Sequence, residues 1–193
     1  MSNTYAAISR HPLRYLATLV LGAGAVMTLV VGGASASNVH LKKSPALTFT
    51  DKGLYLEATG ALTGLGNGDI VVTLSASGHP TGTCTNPGGH DPAGLNPAAV
   101  VTLTGAQEIP SGTVTNGNVA FDVSTGSPTT PVAGAPDCPN SNYTENITDV
   151  SFSGFSATIT VYQGTGCAVN NDGTLTSGCN IANPVFVKTV TVP

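Results

Sequence analysis

Two histidines and an aspartate fall within one stretch, residues 77–97, which reads SGHPTGTCTNPGGHDPAGLNP. His79, His90 and Asp91 are of the types that ligate a divalent metal or form a general base with its orienting acid. Each flanks Pro or Gly, the composition of a solvated turn, and no serine or cysteine stands in a recognisable nucleophile motif. Ordinary surface positions are the simpler reading, and no catalytic residue is assigned.

The other candidate groups are equally dispersed. Asn170-Asn171-Asp172-Gly173-Thr174 sets oxygen ligands around a glycine, but an EF-hand needs alternating acids and a distal bidentate Glu, which do not follow. An Asp-Gly turn accounts for the same residues. Glu57, Asp69, Glu108 and Asp122 fall on separate segments, and nothing singles out two of them as the carboxylate pair of a glycosidase. A bound sugar would find a ring to stack on in Tyr143, with Asn142 beside it and Asn86 in the earlier loop as hydrogen-bonding groups. The competing reading of Tyr143 is a lid packed over the end of the fold. No metal site and no cofactor are expected.

The elements that must position these residues are strands. Apolar residues alternate over 46–50, 54–59, 69–76, 98–104, 119–123, 147–153, 155–163 and 185–192, separated by Gly-, Pro- and Asn-rich turns. About eight short strands without helical periodicity predict an all-β protein, an antiparallel β-sandwich of immunoglobulin-like or fibronectin-like architecture, with a closed barrel as the alternative. Leu47 and Phe49, Leu54, Leu56 and Ala58, Ile70, Val72 and Leu74, Val101 and Leu103, Val119, Phe121 and Val123, and Ala157, Ile159 and Val161 form the shared faces read as inward. In the last strand Lys188 favours turning Val185 and Val187 inward, whereas the volume of Phe186 favours the opposite register.

The strands place the cysteines. If consecutive strands run up and down, the long connections 77–97, 124–146 and 164–183 are alternate members of the series and share one end of the molecule. Cys84, Cys138, Cys167 and Cys179 all lie in them. That placement fails if Ser153-Gly154 interrupts one long strand instead of joining two. Four cysteines behind a secretory leader imply disulfides. Three pairings are possible, and the favoured one joins Cys84 to Cys138 and Cys167 to Cys179.

The leader itself spans residues 1–36. Arg10, His11 and Arg14 precede an uncharged apolar run over 16–31, and Ala34-Ser35-Ala36 supplies the small-x-small pattern of a signal-peptidase site after Ala36. The run is broken by glycines and is shorter than the roughly 20 apolar residues of a spanning helix, so cleavage rather than anchoring is expected. The mature chain divides into an extended leader, 37–45, and a single domain, 46–193. It keeps four lysines against ten acids, a balance of −6, with no Lys or Arg between Lys52 and Lys188. Phosphate neutralisation by such residues supplies most non-specific nucleic-acid affinity, which excludes nucleic acid and anionic lipid as partners.

The segments GALTGLGNGDIVVTLSASG, TCTNPGG, AGLNPAAVVTLTG and CPNSNYTENITDVSFSGFSATITVYQ cover most of residues 60–163. They resemble small secreted bacterial β-sandwich proteins of unassigned activity, chiefly through TCTNPGG and the downstream CPN. The resemblance implies secretion and fold, and brings no catalytic or binding residue. The resulting expectation is a secreted, non-enzymatic, adhesion-type β-sandwich whose partner is a cell-surface polysaccharide or a protein. A carbohydrate-binding module using the long-loop end is the second reading, and a secreted enzyme the third.

Overall fold

The computed structural model describes residues 38–92, 99–132 and 138–193, so the stretch read as a secretory leader, 1–36, lies outside the described residues. The described chain is all-β apart from one short 3-10 turn, Ser111–Thr113. Nine strands follow in order: β1 His40–Leu41, β2 Thr48–Asp51, β3 Leu56–Thr63, β4 Asp69–Thr85, β5 Val101–Ile109, β6 Val119–Ser124, β7 Thr144–Ser151, β8 Ser156–Gly164 and β9 Phe186–Thr191. All eight expected strands are present. The ninth, β1, lies in the stretch read as an extended leader and pairs with β3.

They form two antiparallel sheets in a sandwich-like arrangement. In the first, β3 is flanked by β6 on one side and by β2 and β1, end to end, on the other. In the second, the order is β5-β4-β8-β9, with β7 also paired to β4. One core joins them. Leu56, Ala58, Leu62, Phe121 and Val123 of the first sheet pack with Ile70, Val72, Leu74, Leu103, Ile159 and Val161 of the second. All but Leu62, which lies past the expected end of its strand, belong to the faces that period-two alternation selects, whereas Leu54, selected with them, precedes β3 and is half-buried. In β9, Phe186 packs on the core and Val187 is 53% exposed, so the larger side chain decides the register.

Two expectations about connections are overturned. Residues 77–97 do not form one long loop: β4 continues through Ser77 to Thr85, a strand of 17 residues. Pro80 sits inside it and is buried, although proline cannot donate to a ladder. The position tolerates it because β5 ends opposite Gly78. Beyond Gly78 no strand among the described residues pairs with that side of β4, and the Cys84 N–H donates to Pro92 O at 2.9 Å.

The second correction concerns direction. Both β7 and β8 pair antiparallel with β4, β8 along Asp69–Ala76 and β7 along His79–Thr85, so they run the same way and form one line. Phe152 to Phe155 is an excursion within that line. Its Phe152 side chain is fully buried, and Gly154 makes the turn at φ +79°, a conformation that favours glycine. The end of β9 holds the excursion in place: Gly154 N–H donates to Val192 O at 2.9 Å and Val192 N–H to Phe155 O at 2.9 Å. The third long connection therefore leaves from the opposite end of the sheet. The four cysteines do not gather at one pole.

Candidate functional site

Disulfides Cys84–Cys138 and Cys167–Cys179 are both formed, with Cα–Cα distances of 5.6 Å and 4.4 Å. The first ties the far end of β4. The second lies beside Asp69, at the near end of the same strand, about 50 Å away at the usual rise per residue.

The far end carries the residues proposed for a sugar. Thr85 opposes Thr144 in the β4–β7 ladder, so Asn86 and Tyr143 leave the sheet side by side and Asn142 follows. Tyr143 is half-buried and lines an open groove of about 400 Å³ with Thr130, Pro131, Cys138 and Asn140. The Asn86 carboxamide oxygen is occupied by its own turn, accepting from Gly88 N at 2.8 Å and His90 N at 3.0 Å. Asn142 is exposed, with its backbone N–H bonded to Asn140 Oδ1 at 3.0 Å.

The other candidates stay apart. His79 lies on β4 beside Phe155, with ring centroids 6.5 Å apart, whereas His90 and Asp91 sit beyond the strand's end. The Asp91 carboxylate accepts the Thr85 hydroxyl. Among the described residues, no group of three or more His, Cys, Asp or Glu is placed to share a metal ion. Asp172 accepts the Thr174 hydroxyl at 2.7 Å and its N–H at 3.0 Å, and these bonds hold its carboxyl below the usual range. The pattern read as a calcium-loop fragment is a self-satisfied turn around Gly173, at φ +81°.

The four carboxylates on strands do not converge. Glu57 pairs with Lys52 at 3.5 Å on the first sheet, and Asp122 is exposed there. In the second sheet Asp69 accepts the Ser111 N–H at 2.9 Å and the Gly166 N–H at 3.1 Å. Ser111, through backbone and then side chain, and Gly166 next, lower the Asp69 pKa. Glu108 accepts the Val169 N–H. Both acids fasten the third long connection to the sheet.

That connection is a flap, not a solvated loop. Its Cys167, Cys179, Val169 and Leu175 pack on Val71 and Tyr162, on the face of the second sheet turned away from the core. Val71 is thereby fully buried although it points outward. Beyond the flap the same face is open and regular. Ser75 lies between Thr104 and Thr158, and Thr158 opposes Thr189. Thr73 lies between Ala106 and Thr160, and Thr160 opposes Val187. Ser77 opposite Thr102 and Ser156 opposite Thr191 extend the pattern. Ten of these twelve positions are Ser or Thr and none is charged. Neighbouring positions recur about every 4.8 Å across the strands and about 6.7 Å along them.

A hydroxyl shelf walled by a flap results. Where the wall meets it, Thr73, Ser75, Thr104, Ala106, Val169 and Leu175 border an open groove of about 540 Å³. Some hydroxyls bind one another, as Thr158 and Thr189 do at 2.9 Å, and Thr73 donates to Thr160 O at 3.3 Å. No residue of this shelf was singled out by motif. The signal was present as Thr-x-Thr at 102–104, 158–160 and 189–191, but only strand order and register show that the three runs lie on one face.

No family model, curated protein or solved structure matches the chain.

Proposed function

We propose that this is a secreted, adhesion-type interaction protein that makes contact through the hydroxyl shelf of its second sheet. The observation that carries the reading is the uncharged Ser/Thr array itself, ten of twelve register positions on one exposed face. An exposed strand face ordinarily carries charge for solubility, and the opposite outer face does so with Glu57, Asp122 and the Lys52 pair. Two disulfides, at either end of β4, fit an oxidising compartment. The leader read over 1–36 and the resemblance of the TCTNPGG and CPN segments to small secreted bacterial proteins support the same placement. The two-sheet arrangement suits an immunoglobulin-like or fibronectin-like module. A non-catalytic role agrees with the use of Asp69, Asp91, Glu108 and Asp172 as acceptors for neighbouring backbone and hydroxyl groups.

A second reading has its own observation. The groove beside Tyr143 at the Cys84–Cys138 end offers a half-buried ring to a sugar, as a carbohydrate-binding module would. The two readings separate in retention of the mature protein, residues 37–193, on the insoluble cell-wall fraction of its own organism. Contact through the shelf is lost in the double variant Thr104→Lys, Thr189→Lys and kept in Tyr143→Ala. Contact through the groove gives the reverse.

A further inference from the structure

Resting on the shelf as the contact surface, we infer that its occupant is an uncharged polysaccharide chain lying across β5, β4, β8 and β9 against the wall made by the flap. Charge comes first. None of the twelve shelf positions is charged, and the acid at the wall, Glu108, is engaged by the Val169 N–H. An anionic polymer finds no Lys or Arg to pair with there, and a cationic one only Glu108, one oxygen of which already holds the flap.

Side-chain type separates a glycan from a protein. Protein interfaces are anchored by aromatic residues and Arg, and the twelve positions hold neither, so a glycan here is held through hydroxyls and not by ring stacking. Ser and Thr hydroxyls both donate and accept, as sugar hydroxyls do, so each can match a ring hydroxyl in either sense. The methyl groups of Thr, together with Ala106, Val187 and Leu175, give the floor and wall apolar patches for the carbon faces of the sugar.

Shape separates a single chain from an extended flat surface. The flap rises beside the row of Ala106 and Thr73, leaving an open groove of about 540 Å³ along its foot. A broad plane would strike this wall, whereas a linear chain can lie along its foot over β5 and β4 and continue across the open rows of β8 and β9. The wall is fixed before binding. The flap is closed by Cys167–Cys179 and fastened by Asp69 and Glu108, which lowers the ordering cost of binding.

The test is retention of the full mature protein on suspended insoluble glucan and on chitin, both neutral, beside an acidic polysaccharide gel. Wild type is expected on at least one neutral polymer and not on the acidic one, with affinity reduced roughly tenfold or more in Thr104→Lys, Thr189→Lys, a change read directly as a ratio of dissociation constants. Circular dichroism and melting confirm that this variant folds. The milder Thr104→Val, Thr189→Val keeps strand propensity and shape and should weaken binding in the same direction. Wild type retained on cell-wall protein but on no neutral polysaccharide, with loss in the shelf variants, overturns the glycan and leaves the shelf reading standing. Retention that only Tyr143→Ala abolishes overturns both.

Discussion

Asp69 shows how a residue that looked like chemistry serves architecture. Its two oxygens take N–H groups from Ser111 and Gly166, joining the start of β4 to the segments that follow β5 and β8. Because its folded pKa is lowered, it stabilises the fold above the unfolded value of about 3.9, and that contribution is lost as pH falls through the folded pKa. Asp69→Asn should therefore be less stable than wild type at about pH 7, by an amount near the typical hydrogen-bond value of about 1 kcal/mol, and the gap should narrow as pH falls below about 3.9. A constant difference across that range would show that charge is not what Asp69 contributes. Gly105 makes a steric prediction. A Cβ there would lie 1.8 Å from Ser124 O, where β6 crosses β5. Gly105→Ala should lower stability by about 1–3 kcal/mol in denaturant titration, since backbone rather than a flexible side chain must move. Neither role could be read from sequence, because both partners lie far along the chain.

At the scale of elements, period-two alternation was enough to find eight strands and their inward residues, since each strand has one face in the core. Connectivity was not legible. Alternation continues through Ser77–Thr85 only weakly, with Gly78, Pro80 and Gly82 in it, and these residues read as a loop until β7 is known to lie alongside. Ser153-Gly154 carries the signature of a hairpin turn, yet serves as an excursion that buries Phe152 and receives the end of β9. One misread turn reverses the direction of everything after it, which is why Cys167–Cys179 lies at the other end. The favoured pairing is formed, although Cys84 lies on β4 and not in the loop that motivated joining it to Cys138. Cys84→Ser and Cys138→Ser should each cost up to about 4 kcal/mol, with the double variant no worse than either. Cys167→Ser should cost up to about 3 kcal/mol, reflecting the shorter closure. Additive losses in the first pair would contradict that bond in solution.

At the scale of the molecule, the two outer faces share threonines but differ in charge. The first sheet shows Glu57, Asp122 and a lysine to solvent, and the second shows rows of Ser and Thr up to a covalently closed flap. Cross-strand Thr pairs stabilise a sheet by about 0.2–1 kcal/mol each, so the array contributes to folding whatever it touches. A Lys substitution at the exposed position Thr104 should change stability by no more than about 0.5 kcal/mol, and one at Thr189, which gives up its pair with Thr158, by up to about 1 kcal/mol. That tolerance permits a direct trial of the shelf as a contact surface. The measurement is a set of binding isotherms on the organism's own insoluble cell wall for wild type, for Thr104→Lys, Thr189→Lys, and for Thr59→Lys on the outer face of the first sheet. Saturable binding that only the shelf variant loses is the predicted result. Equal binding by all three, or no saturable binding by wild type, would contradict it.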